Sequence, residues 1–224
     1  MKLIYVVTEG SSETNFVKRV LCPHFDSLNK TLTPTTVLTK NDRRAGIQYK
    51  GGMDRYAKAE TTISKCLAHS KDNPEAYVTT MFDFYRLPKD TPGMDEIKSV
   101  TDPYEKVARI ENCMVQHVAL QKPIYFPYIQ LHEFEALLFS DLDAVSKKYF
   151  YHDITSLKNC VAEIRNPELI DNGEETAPSK RIISCIPDYD KATTGVDILE
   201  TIGLETLRNK CAHFNEWITK LEKL

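Results

Sequence analysis

The chain has 224 residues, enough for one large domain or a domain with a modest appendage. Its 42% hydrophobic and 27% charged residues are an ordinary globular composition, and a formal net charge of −3 excludes binding to nucleic acid through overall basicity. Any contact with a polyanion must come from a local basic patch.

The start, MKLIYVVTEG, has no signal-cleavage pattern and reads as a strand, Leu3–Thr8, buried on both faces. Thr14–Leu21 is expected to be a helix carrying Phe16, Val17, Val20 and Leu21, ended by Pro23. Thr35–Thr39 reads as a short second strand, and KNDRRAGIQYKGG as a polar, glycine-bearing connection. A helix over residues 54–69 presents Tyr56, Ala59, Ile63, Cys66 and Leu67 at helical spacing. Ala76–Phe84 is the third strand. A helix over residues 103–121 follows, with a stripe of Tyr104, Val107, Ala108, Met114, Val115 and Val118 and with Pro103 in its first turn. The fourth strand, Ile124–Leu131, contains Pro127, which belongs at a sheet edge or a bulge. Beyond residue 140 the pattern is helical and ends in a helix over Leu204–Leu224 with a stripe of Leu207, Cys211, Phe214, Ile218 and Leu221, Trp217 beside it. No apolar stretch reaches bilayer-spanning length. The six cysteines form no CxxC pair, so reduced thiols in a cytoplasmic protein are expected.

Strands joined by helical crossovers imply an α/β fold: a mostly parallel four-stranded sheet flanked by helices over residues 1–140, with a helical extension over residues 141–224. In such sheets ligands gather beyond the carboxyl ends of the strands. Glu9 follows strand one, Asp83 closes strand three, and Glu133 and Glu135 follow strand four. Glu13 lies in the first turn of the first helix, where an acid also favours the helix dipole. Glu133 and Glu135 flank Phe134 at i and i+2, so only one of them is expected to face a common site. Carboxylates without a convergent His/Cys set suit a hard cation, Mg²⁺ or Mn²⁺, of the kind that activates water against a phosphodiester.

Basic residues offer a second feature. Arg43, Arg44 and Lys50 cluster before the Gly51-Gly52 pair, and Arg86 follows strand three. They suit contacts to a phosphate backbone, which position a nucleic acid without reading its sequence. A solvated loop accounts equally well for the first three.

The segments VVTEGSSET, YKGGMDRY, MFDFYRLP, PYIQLHEFEALLF, PSKRI and CAHFNEWITKLE together resemble a Toprim-like family, in particular small bacterial proteins related to the nuclease domain of OLD-type proteins. The resemblance implies that Glu9 is the acid after strand one, that Glu13 is the second acid of the OLD-type pattern, and that Asp83 is the first acid of an Asp-x-Asp pair. Tyr85 stands where the second acid would be. It further implies a catalytic lysine late in the chain, for which Lys180 and Lys191 are the candidates, a DNA or RNA substrate, and an ABC-type ATPase partner in antiviral defence. Homo-oligomers are compatible with it. Two alternatives stay open: a Toprim-shaped subunit that binds its partner or a nucleic acid without cutting, and a receiver-like phosphoacceptor at Asp83.

Overall fold

The computed structural model describes residues 1–42, 47–50, 53–71, 73–118, 124–170, 173 and 176–224. They form two compact units, Met1–Ile129 and Gln130–Leu224.

In the first unit the opening apolar run becomes β1 (Lys2–Thr8), whose consecutive Val6, Val7 and Thr8 are all fully buried, as a strand covered on both faces requires. β2 (Lys30–Thr36) and β5 (Ala76–Asp83) lie on either side of β1 and parallel to it, and β6 (Tyr125–Phe126) pairs in parallel with β5 at the sheet edge. The expected parallel sheet is present. Its fourth strand is broken in two, because Pro127 interrupts the ladder between β6 and β7 (Ile129–Gln130), and β7 also pairs with β5. Side chains take over the bonding at the break. Thr79 Oγ1 donates to Phe126 O, Thr80 Oγ1 donates to Tyr128 O at 2.9 Å, and Tyr128 N donates back to Thr80 Oγ1 at 2.9 Å. Ile129 N donates to Glu111 Oε1 at 2.9 Å.

Three local expectations are corrected. The segment expected as a connection instead forms β3 (Leu38–Asp42) and β4 (Ile47–Lys50), an antiparallel pair; Thr39, Ile47 and Tyr49 alternate with polar residues in a hairpin pattern. Residues 35–39 therefore straddle the end of β2 and the start of β3. Pro23 does not end the first helix: α1 (Ser11–Phe16) runs through a π-turn (Val17–Leu21) into α2 (Cys22–Ser27), where Pro23 occupies the tolerant first turn.

α3 (Tyr56–Lys71) buries Tyr56, Ala59, Ile63, Cys66 and Leu67 as its spacing predicts. α4 (Pro103–Val118) buries Val107 and Met114, but Ile110 and Glu111 complete that face and Val115 is exposed. A carboxylate bonded to the interrupted strand thus occupies a position that an apolar reading overlooks.

The second unit opens with a buried 3₁₀ turn, Phe134–Ser140, and continues through α5 (Leu142–Lys148), α6 (Thr155–Ile164), α7 (Pro178–Cys185), α8 (Val196–Ile202), α9 (Leu204–Lys210) and α10 (Ala212–Glu222). The single helix expected over residues 204–224 is two helices, because Cys211 is extended at φ −121°, ψ 97°. Leu207, Cys211, Phe214, Trp217, Ile218 and Leu221 are nevertheless all buried. Fully buried Glu168 caps α10, accepting from His213 N at 3.0 Å and Phe214 N at 2.9 Å. No cysteine is in a disulfide. Among the described residues no helix is long and apolar enough to cross a membrane.

Candidate functional site

In the first unit, Glu9 and Asp83 stand at the carboxyl ends of neighbouring parallel strands, only 5% and 2% exposed. β1 and β5 pair with Thr8 opposite Met81, so continuing the register sets Glu9 beside Phe82, with Asp83 one residue further along. Strands ~4.8 Å apart that rise ~3.3 Å per residue put the two Cα atoms ~6 Å from each other. Strict alternation would send the two side chains to opposite faces of the sheet, since Asp83 shares the face of Thr8. The chain bends at Glu9, however, and alternation ends there.

The bend is tied down from three directions. Thr8 Oγ1 lies 2.6 Å from Thr14 Oγ1, which lies 2.8 Å from Thr36 Oγ1, a hydroxyl chain linking β1, α1 and β2. Val37 N donates to Thr8 O at 2.9 Å. Gly10 N donates to Glu13 Oε2 at 2.9 Å. A Cβ on Gly10 would sit 3.1 Å from that oxygen, so the absence of a side chain lets the carboxylate fold back over the turn. Buried Glu13 therefore has a structural task at the start of α1, and the Glu-Gly-x-x-Glu spacing encodes it.

Beyond Asp83 the chain enters a short 3₁₀ turn, Phe84–Arg86. Tyr85 is 46% exposed, and Arg86 is also exposed. Arg43 and Arg44 lie outside the described residues. Lys50 closes β4, but its side chain lies outside what is described.

The second unit gathers the remaining candidates. His132 adopts a left-handed backbone, φ 61°, uncommon for a residue with a Cβ, immediately before Glu133. Glu133 Oε2 accepts from Ser179 N at 2.9 Å, at the start of α7. Glu135 Oε2 lies 3.1 Å from Lys191 Nζ, an ion pair not aligned as a hydrogen bond. That ammonium also sits 5.4 Å from the centre of the Phe134 ring. Burial pushes the Glu135 carboxyl above its usual range; Lys191 opposes the shift and Glu133 adds to it. The Lys191 side chain is 31% exposed and that of Glu135 is 3% exposed, so the pair spans from interior to surface. Lys180 is exposed, next to Ser179.

Among the described residues no three His, Cys, Asp or Glu side chains form a group fit to hold a metal ion. Glu9 and Asp83 are a pair of hard oxygen donors. That suits Mg²⁺, which commonly takes one or two carboxylates and completes its shell with water and substrate phosphate.

Sequence reasoning missed the backbone N–H of Ser179 as the partner of Glu133, and Tyr189 beside the Glu135–Lys191 pair. The PSK segment was the available signal for the first, because Pro178 marks a helix start whose N–H groups attract a carboxylate. Only a tertiary contact reveals the second.

A family described as "Domain of unknown function (DUF4276)" matches residues 8–222. No curated protein matches the chain. Two solved structures of the C-terminal region of the Xanthomonas campestris pv. campestris OLD protein, phased with iodine and with mercury, align at 13% and 14% identity. Each alignment covers 99% of this chain and 98% of the other, with a TM-score of 0.39. At that distance nothing about function is carried over.

Proposed function

The chain belongs to the family described as Domain of unknown function (DUF4276), and we propose, from its strand-end acids, that it is a Mg²⁺- or Mn²⁺-dependent phosphodiesterase acting on DNA or RNA. The observation that carries the reading is the pair of buried carboxylates, Glu9 and Asp83, at the carboxyl ends of adjacent parallel strands. Both acids present oxygen donors of the kind a hard divalent cation prefers. Glu9 and Asp83 would hold the ion. A divalent cation bound there supplies an acidified water and neutralises charge on the phosphodiester.

The other residues divide by task. Glu13 keeps the turn at Gly10 in shape. Exposed Arg86, three residues after Asp83, contacts substrate phosphate, as do Arg43, Arg44 and Lys50 of the basic segment. Lys191 is the lysine we assign to transition-state charge, because it is ion-paired and partly exposed; Lys180 is the second candidate. Within the second unit, Glu133 holds the start of α7 and Glu135 serves Lys191.

The test is cleavage of single- and double-stranded DNA and RNA with Mg²⁺ or Mn²⁺. Glu9→Ala and Asp83→Ala should each lower the rate at least 100-fold without loss of folding. Metal-dependent cutting that survives both substitutions refutes the assignment.

A second reading is a non-catalytic subunit that binds an ABC-type ATPase partner or a nucleic acid in antiviral defence. The specific observation in its favour is Tyr85, exposed where the resemblance calls for an acid. Binding without cutting, alone or with the ATPase added, would select it.

A further inference from the structure

Three oxygens shielded inside the second unit, Glu135 Oε2, Tyr149 Oη and Tyr189 Oη, make no hydrogen bond among the described residues. They belong to one neighbourhood: Tyr189 lies within electrostatic reach of Glu135, Lys191 and Tyr149. Unsatisfied buried polar atoms are rare in folded proteins, and a cluster of them calls for a reason.

The local chain is built around the Tyr189 hydroxyl. Lys191–Gly195 forms a π-turn, and a Cβ on Gly195 would fall 2.5 Å from Tyr189 Oη. Gly195 thus lets the turn that begins with Lys191 close onto the phenol. Asp190, between the two residues, fixes the turn by accepting from Thr193 N at 2.8 Å and Thr193 Oγ1 at 2.9 Å. The phenol and the ion-paired lysine thus stand at the two ends of one short turn, with Lys191 Nζ 3.1 Å from Glu135 Oε2.

An ammonium that turns to a phosphate would leave Glu135 buried without its counter-charge, a strongly unfavourable state. A nearby O–H donor removes that obstacle. We infer that Tyr189 is a positioning residue for Lys191: its phenol donates a hydrogen bond to Glu135 when the Lys191 ammonium moves from that carboxylate to an anion of the phosphate class. No bond breaks in the exchange, and the phenol keeps its proton. Burial and the charge of Glu135 hold the Tyr189 hydroxyl well above its usual range, so it stays a donor. The inference rests on reading Lys191 as the phosphate-facing lysine, but not on cutting.

Its test uses the metal-free full chain labelled with ¹³C at tyrosine Cζ, with inorganic pyrophosphate as the probe. Tyr189→Phe identifies the Tyr189 resonance by its loss, and it should weaken pyrophosphate binding about ten-fold while leaving thermal unfolding unchanged. Pyrophosphate should shift the Tyr189 resonance, and Lys191→Ala should produce that shifted position without any ligand. The inference is overturned if Lys191→Ala leaves the resonance where it is in the wild type. It is equally overturned if pyrophosphate leaves the resonance unmoved, or if Tyr189→Phe binds as tightly as the wild type. Failure of the nuclease reading is seen separately: a chain with this spectral signature but no cleavage refutes that reading and keeps the exchange.

Discussion

Replacing Glu168 with Ala should destabilise the second unit more than any surface change. The carboxylate is fully buried and accepts two backbone N–H bonds, from His213 at 3.0 Å and Phe214 at 2.9 Å, at the start of α10. A hydrogen bond to a charged group contributes ~1.5–3 kcal/mol, so losing both costs roughly 3–6 kcal/mol, with two donors left unsatisfied in the interior. At about 2–4 °C per kcal/mol for a chain of this size, Tm should fall by roughly 6–24 °C. Glu168→Gln keeps one acceptor oxygen and should lose about half as much. Thermal unfolding followed by circular dichroism reads the size of the effect, and amide exchange at His213 and Phe214 locates it. A loss under about 1 kcal/mol for Glu168→Ala, or unchanged exchange at both amides, would refute the capping argument.

Thr80→Val keeps shape but removes a hydroxyl that both donates to and accepts from the backbone of Tyr128, so urea unfolding should register a loss of about 2–4 kcal/mol. Because burial raises the Glu135 carboxyl, its contribution to stability is complete below the unfolded value of about 4.3 and drains away as pH rises through the higher folded value. The stability of Glu135→Gln relative to wild type should therefore improve from pH 4 to pH 8, and a flat or reversed trend would contradict this. Cys211, fully buried beside Glu168 with its thiol pushed up to about 12, should be the last cysteine alkylated by iodoacetamide in the folded chain, which peptide mass spectrometry can follow.

Burial patterns carried most of the legible information. The spacing of Tyr56, Ala59, Ile63, Cys66 and Leu67 fixed the inner face of α3, and Leu207 through Leu221 did the same for the end of the chain. Pro127 correctly marked an interrupted edge strand, since a missing N–H is a local fact. Interactions between distant residues were not legible. Nothing local announces that Thr80 and Glu111 bond the backbone at the break made by Pro127, that Glu168 caps the helix restarting after Cys211, or that Tyr189 and Gly195 meet. The same holds for the acids. Their strand-end positions could be read in sequence, whereas the hydroxyl chain of Thr8, Thr14 and Thr36 and the task of Glu13 at Gly10 emerged only from the fold.

The most direct trial of the proposal is a crystal of the full chain soaked in Mn²⁺ and measured at the manganese absorption edge. The account predicts one anomalous peak with carboxylate oxygens of both Glu9 and Asp83 at ~2.1 Å, near the oxygen distance typical of Mg²⁺. A peak ligated by neither residue, or carboxylates that open onto opposite faces of the sheet, would contradict it.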